Sequence, residues 1–421
     1  MVKVTATDTV DQAENWMLYL YMSSENNLKA QSVRNINDIR KFIGLSATNA
    51  VIYQDLKDET NFEFLPSTKT RPPKSLGGMD FSSAATLNGF LDDAGVEKAG
   101  TGKQQMLILW GHGRGMLFLP DDEAPQQPMD VISAAAVLTG SSAHKFDIIG
   151  FDACFMCVLE VVNDFAGACK YFVSSPSLIP STGWAYAEML QAIGKLKTAP
   201  NAEKMSAIIS TTYESRYQAQ FPESRLIQLS TIETHKLPDL IAAFQTLGEE
   251  IARILDDGGQ SAETLRKSLT LARQIALTAP GAFDYVDGVD LITRLQGLMP
   301  KGLSLSLDAA CENFLSRAIG IFKEERDVPS FLIWFPLQRG IYARWRGLYD
   351  KLNTSRKSGT NETVGWALML SKYHGLSSVP AEDDDDLTDA ENRIFMALRH
   401  REKLKPQLEK ITRQRKERIN G

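Results

Sequence analysis

Cysteine is scarce in this chain, with four residues (Cys154, Cys157, Cys169 and Cys311) among 421. Thiols so few and so irregularly spaced form no disulfide framework, and they point to a reducing compartment. Also missing is any apolar run approaching the roughly eighteen residues that a membrane span needs. The opening segment, Met1 to Glu14, carries Asp8, Asp11 and Glu14. It lacks the basic start and apolar stretch of a secretory signal, so a cytoplasmic location is expected. There is no basic excess: the net charge of -6 argues against a general nucleic-acid surface. Histidine is nearly as rare as cysteine, at five residues, and no second C-x-x-C or histidine cluster offers a zinc ligand set. No internal repeat is found. What is left is a globular chain, 43% hydrophobic and 23% charged, long enough for two or three structural units.

Two segments dominate what is there. Leu107-Ile108-Leu109-Trp110-Gly111-His112-Gly113 and Phe146-Asp147-Ile148-Ile149-Gly150-Phe151-Asp152-Ala153-Cys154 each end an apolar run in small residues and one reactive side chain. Such runs read as buried strands of a parallel sheet. Chemistry in open α/β sheets collects beyond the carboxyl ends of the strands. Consecutive strands would thus deliver an imidazole and a thiol to one edge, as a cysteine nucleophile with a histidine base requires. Asp152 shares a strand face with Cys154, since residues two apart point the same way.

Around these segments, strands at Trp16 to Met22, Ala50 to Leu56 and Tyr171 to Ser175 alternate with helical spacing at Leu28 to Ile43, Ser82 to Leu91, Met129 to Leu138 and Cys157 to Phe165. Phe62 to Leu65 reads as a short hairpin arm. The alternation predicts an α/β fold, a mostly parallel sheet with helices on both faces. The second half predicts helices at Ala202 to Tyr217, Leu237 to Leu255, Ser261 to Ile275 and Asp287 to Leu298, with strands at Arg225 to Leu229 and Ser330 to Phe335. The tail changes character. Glu382 to Asp386 is an acidic run, and Arg399 to Arg418 holds nine Lys or Arg against three Glu. We read residues 1–235 as a catalytic core, 236–378 as a helical region completing the fold, and 379–421 as an acidic linker with a charged helix. That helix is either a solvated face or a docking segment for a regulatory partner.

His112-Gly113 after one strand and Asp152-Ala153-Cys154 after the next resemble the clostripain-type cysteine peptidases, relatives of the caspases, legumains and gingipains. Asn15 to Met22 with Glu25-Asn26-Asn27-Leu28, Gly150 to Glu160, Gly183-Trp184 and Leu332 to Pro336 resemble further signatures of that family, from about Asn15 to about Tyr373. The resemblance implies a caspase-like sheet and a cysteine endopeptidase working on protein or peptide substrates through a dyad of His112 and Cys154. It implies an oxyanion hole from the N–H groups of Gly113 and Cys154, and a preference for Arg or Lys before the cut through Asp152. Relatives often carry a second acid just before Gly183-Trp184, where this chain has Thr182, which softens the expected preference. Many relatives are exported, and many are zymogens cut between the histidine and the cysteine. From Leu117 to Ala143 there is no Lys or Arg for self-cleavage. No cofactor is expected; calcium, which some relatives need, has candidate ligands in Asp121, Asp122 and Glu123.

Three expectations come from the residues themselves. Cys154 is expected at the start of a helix whose dipole favours the thiolate. Asp152 either serves substrate or caps that helix. Cys154-Phe155-Met156-Cys157 also spells a thiol–disulfide motif, so an oxidoreductase is an alternative, as is a catalytically inactive interaction protein.

Overall fold

The computed structural model describes residues 16–46, 48–65, 74–96, 103–120, 128–140, 146–221, 227–282, 284–322 and 329–376. Asp121 to Glu123, the opening segment and the charged tail lie outside the described residues.

The first half builds an eight-stranded sheet from β1 (Trp16–Met22), β2 (Thr48–Leu56), β3 (Glu59–Leu65), β4 (Lys74–Ser75), β5 (Gln104–Trp110) and three later strands. A small separate sheet follows β5: β6 (Gly113–Arg114), β7 (Leu117–Phe118) and β8 (Met129–Asp130). The large sheet resumes with β9 (Phe146–Asp152), β10 (Cys169–Ser174) and β11 (Ser230–Glu233), and its order is β11-β10-β9-β5-β1-β2-β3-β4. The five central strands are mutually parallel, and the outer ones pair antiparallel. β5 and β9 are buried along nearly their whole length, as uninterrupted Leu, Ile and Phe runs require when both faces are covered.

Order reverses at β1. The chain runs from β1 to β2 through α1 (Lys29–Phe42), then returns to the other side of β1 at β5 and continues outward through β9 and β10. Right-handed crossovers that change direction must use opposite faces of the sheet. Accordingly, Ile36 and Ile39 of α1 pack in one apolar cluster. The helices flanking β5 and β9 pack in the other: α2 (Ala84–Asp93), α3 (Val131–Thr139) and α4 (Leu159–Phe165). The expected α/β architecture with helices on both faces is present.

α5 (Tyr186–Gly194) and α6 (Ala202–Gln220) cover the α1 face, while α7 (Leu237–Asp257) packs on the opposite one. Behind α7 lie α8 (Gly259–Ile275), α9 (Gly288–Leu298) and α10 (Leu305–Ile319), then α11 (Arg339–Tyr349) and α12 (Gly365–His374). Between them, β12 (Tyr285–Asp287) and β13 (Leu332–Trp334) form a two-stranded antiparallel sheet. The strand expected within 330–335 therefore exists but joins β12, not the large sheet. It still reaches the core: the Leu332 N–H donates to the Cys157 carbonyl at 2.8 Å. Of the strand expected at 225–229, residues 225 and 226 lie outside the described residues; the strand that follows is β11, whose pairing with β10 sets Ile232 opposite Phe172 in the core.

Candidate functional site

β5 and β9 are parallel neighbours with Trp110 opposite Asp152. One residue further, the Gly111 N–H donates to the Asp152 carbonyl at 3.2 Å. The chain then turns at Gly113 into the β6–β7 hairpin. A Cβ on Gly113 would stand 2.6 Å from the Cys154 carbonyl oxygen, so this turn lies directly against the backbone of Cys154. His112 and Cys154 thus leave adjacent strands at one carboxyl edge, each two residues past the paired ends. Both are half-buried.

Two polar contacts hold these groups. The His112 Nε2 lies 2.7 Å from the Asn27 Oδ1, in the loop after β1. The Cys154 Sγ accepts from the Ile179 N–H at 3.2 Å and donates to the Ile179 carbonyl at 3.7 Å. Burial pushes the Cys154 thiol up to about 11; the Ile179 N–H opposes this, and the nearby Asp152 charge reinforces it.

The helix expected to begin near Cys154 does not. α4 starts at Leu159, after an irregular stretch. Phe155 has φ +57, a left-handed conformation that a helix excludes. The Phe155 and Cys157 N–H groups donate to the Ser177 and Ser175 carbonyls, each at 3.0 Å, instead of staying within a helix. Helix-dipole activation of Cys154 is therefore corrected, and so is the reading of Asp152 as a cap of that helix. Cys157 is fully buried in the core, its Sγ facing the Ser330 carbonyl at 3.7 Å, and it precedes α4 where the sequence predicts the helix to begin. All four cysteines are free thiols.

Asp152 lies beneath the loop that follows β10. Its Oδ2 accepts from the Trp184 N–H at 2.8 Å and the Tyr186 hydroxyl at 2.9 Å, while its Oδ1 has no partner among the described residues. Burial raises this carboxyl to about 7, against the two donors and the positive charge of Arg216. Gly183 makes the arrangement possible. Its φ is +69, and a Cβ there would stand 2.6 Å from the Asp152 Oδ2. The edge of the Trp184 ring in turn lies against Gly150, where a Cβ would meet it at 2.4 Å.

Thr182 is at the same place but faces another partner: its Oγ1 shares a hydrogen bond with the Tyr217 hydroxyl at 2.6 Å, and its carbonyl accepts from the Asn35 Nδ2 at 2.9 Å. Tyr186, Tyr217 and Asn35 were not singled out from sequence, because aromatic and amide side chains on amphipathic helices carry no local signature. Asn27 stood in the polar turn already noted, with no role assigned. Ile179 acts through its backbone, which no side-chain pattern reveals. Among the described residues no group of three or more His, Cys, Asp or Glu gathers as a metal site, and no helix is long and apolar enough to cross a membrane.

The sequence model of the clostripain family of peptidases matches residues 20–311. An inactive zymogen C11 protease from Parabacteroides distasonis shares the fold with a TM-score of 0.57 at 19% identity, over 81% of this chain and 96% of that one. A secreted C11 cysteine protease from Bacteroides thetaiotaomicron, in complex with an irreversible peptide inhibitor, gives 0.56 at 16% identity, over 79% and 96%. No curated protein sequence matches the chain.

Proposed function

The chain belongs to the clostripain family of cysteine peptidases, and from that premise we propose that it is an endopeptidase whose nucleophile is Cys154 and whose proton carrier is His112. The observation that carries this reading is the shared edge: His112 and Cys154 follow paired positions of β5 and β9. The thiol gives its proton to the imidazole, and the sulfur adds to the carbonyl carbon of the peptide bond. The amine then leaves with that proton, and water releases the acyl group. The N–H groups of Gly113 and Cys154 receive the developing oxyanion. With the thiol raised in the resting site, ionisation has to be coupled to proton transfer to His112, since no helix dipole assists it.

Asp152 takes the cation of an Arg or Lys side chain before the cut. Its unpartnered Oδ1 and its burial support this role, because a buried carboxyl without a cation is held protonated and gains most when one arrives. Thr182 contributes a hydroxyl in place of a second carboxylate.

Self-processing between His112 and Cys154 is not part of this proposal. Arg114, the nearest basic residue, is mostly buried and lies 3.9 Å from Asp284. We propose control by a partner that docks on the charged segment 399–418. The four free thiols support a reducing compartment, the cytoplasm. The oxidoreductase reading has less support, since Cys157 is inaccessible to a disulfide substrate.

The test is hydrolysis of fluorogenic peptides carrying Arg, Lys, Leu or Asp before the leaving amine. Cys154→Ala should abolish turnover while leaving the melting temperature unchanged within a few degrees. Persisting turnover would move the nucleophile elsewhere, and an inactive wild type that still binds peptide would favour the interaction protein.

A further inference from the structure

The β1 loop lies where the sheet changes direction. After β1 the chain heads towards β2, and after β5 it heads towards β9, so the two exits diverge and leave a crevice between them. A side-chain hydrogen bond from Asn27 to His112 spans the crevice, beside those from the Ser23 hydroxyl and the Asn26 amide to the Pro120 carbonyl.

We infer that Asn27 is the positioning residue of the His112 imidazole, fixing both its orientation and its tautomer. This rests on the dyad proposed above and adds a third member to it. The amide oxygen of Asn27 can only accept, so the Nε2 facing it must carry the proton. The lone pair of the neutral ring is then on Nδ1, which in the proposed dyad is the nitrogen to take the thiol proton. When the imidazolium forms, both nitrogens carry protons, and the Nε2–H···Oδ1 bond becomes charge-assisted and stronger. Asn27 thereby favours the charged state that catalysis passes through. A neutral amide does this without the fixed negative charge that would keep the ring protonated.

The surroundings of Asn27 are built for rigidity. The Ser23 N–H donates to the Trp110 carbonyl at 3.1 Å, which ties the loop to the end of the histidine strand. The Asn26 side chain closes the turn on both sides, its Nδ2 donating to the Ser23 carbonyl at 3.2 Å and its Oδ1 accepting from the Leu28 N–H at 2.9 Å. The Glu25 N–H donates to the Asp55 Oδ2 at 3.2 Å, which anchors the loop to β2 as well. Asn27 follows directly from these anchored neighbours, and α1 begins two residues later. The turn that carries Asn27 is thus tied to the ends of β5 and β2 and leads directly into α1.

The experiment compares the full-length wild type with Asn27→Ala, Asn27→Asp and His112→Ala by two readouts. One is turnover of the best fluorogenic peptide, resolved into kcat and KM. The other is the pH dependence of Cys154 alkylation by iodoacetamide, read at that residue by mass spectrometry, which needs no substrate. Asn27→Ala should lower kcat by about 10- to 100-fold with KM changed by no more than about 2-fold. It should also move the alkylation profile towards that of His112→Ala. Asn27→Asp keeps shape and acceptor and adds charge, so it should displace the alkylation profile in the opposite sense to Asn27→Ala and recover part of kcat. It also carries the test should the alanine variant fold poorly. Wild-type kcat and profile in both Asn27 variants would overturn the inference. So would equal losses in both with the profile unmoved, the mark of a merely structural role. If His112→Ala itself left kcat and alkylation unchanged, the dyad would fall and this inference with it, whereas a clear His112 effect beside silent Asn27 variants would sink the inference alone.

Discussion

At the scale of single residues, the carboxyl of Asp152 offers the sharpest handle on specificity. Its carboxyl is pushed up to about 7, far above an exposed carboxylate, because burial outweighs its two hydrogen-bond donors. Raising the pH through 7 ionises it and creates the charge that draws a guanidinium. The ratio of kcat/KM for an Arg peptide to that for a matched Leu peptide should therefore rise between pH 6 and pH 8. Asp152→Asn should flatten that rise and lower the ratio by roughly 10-fold or more. Steady-state rates across that pH range decide the matter. A ratio that ignores both pH and the substitution would leave the peptidase reading standing with its specificity residue elsewhere.

Among elements, the loop between β10 and α5 does more than connect. It donates the Ile179 N–H to the Cys154 Sγ and the Trp184 N–H to Asp152, with Gly183 between them in a left-handed conformation. Gly183→Ala places a Cβ where φ is unfavourable and the Asp152 carboxylate is already in contact. A loss of about 1–3 kcal/mol is expected, measured by urea denaturation, together with a weakened preference for Arg. Equal stability would mean that the loop relaxes freely. At this scale the sequence was most legible where one rule acted alone. Buried parallel strands read as apolar runs, and α7 follows its apolar spacing from Leu237 to beyond Leu255. The reading failed where distant backbone competed with local preference. Residues 154–158 have the composition of a helix start, yet Ser175, Ser177 and Leu332 take their hydrogen bonds. Of the candidate site, the shared edge of His112, Cys154 and Asp152 was legible because each lies at or just past the end of a strand. The contacts made by Asn27, Ile179, Tyr186 and Tyr217 were not, since they come from the packing of separate elements.

For the molecule as a whole, the most telling groups are two buried acids on α4. The Glu160 Oε1 accepts from the Trp334 N–H at 3.1 Å and the Tyr349 hydroxyl at 2.7 Å, and the Asp164 Oδ1 accepts from the Asn353 N–H at 3.0 Å. Burial raises each to about 7. Between the ordinary carboxylate range and pH 7, the folded state holds protons that the unfolded chain has released. Stability therefore falls as pH rises, by up to about 1.4 kcal/mol per pH unit for each such group. Denaturation midpoints followed from pH 5 to pH 8 should decline, and Glu160→Gln should make the decline shallower. A midpoint that rises over this range would show that the two acids are ionised throughout.

The same carboxyl has a consequence for the order in which the protein is made. Glu160 leaves the ribosome just after Cys154, but Tyr349 follows it by 189 residues and Trp334 by 174. Until both emerge, the nascent chain holds an acid that it cannot bury in satisfied form, and the Cys157 carbonyl lacks its Leu332 donor. Contacts this distant along the chain form late in folding. A half-synthesised molecule thus carries Cys154 on an unfinished framework, which closes only once the segment reaching Tyr349 has been translated.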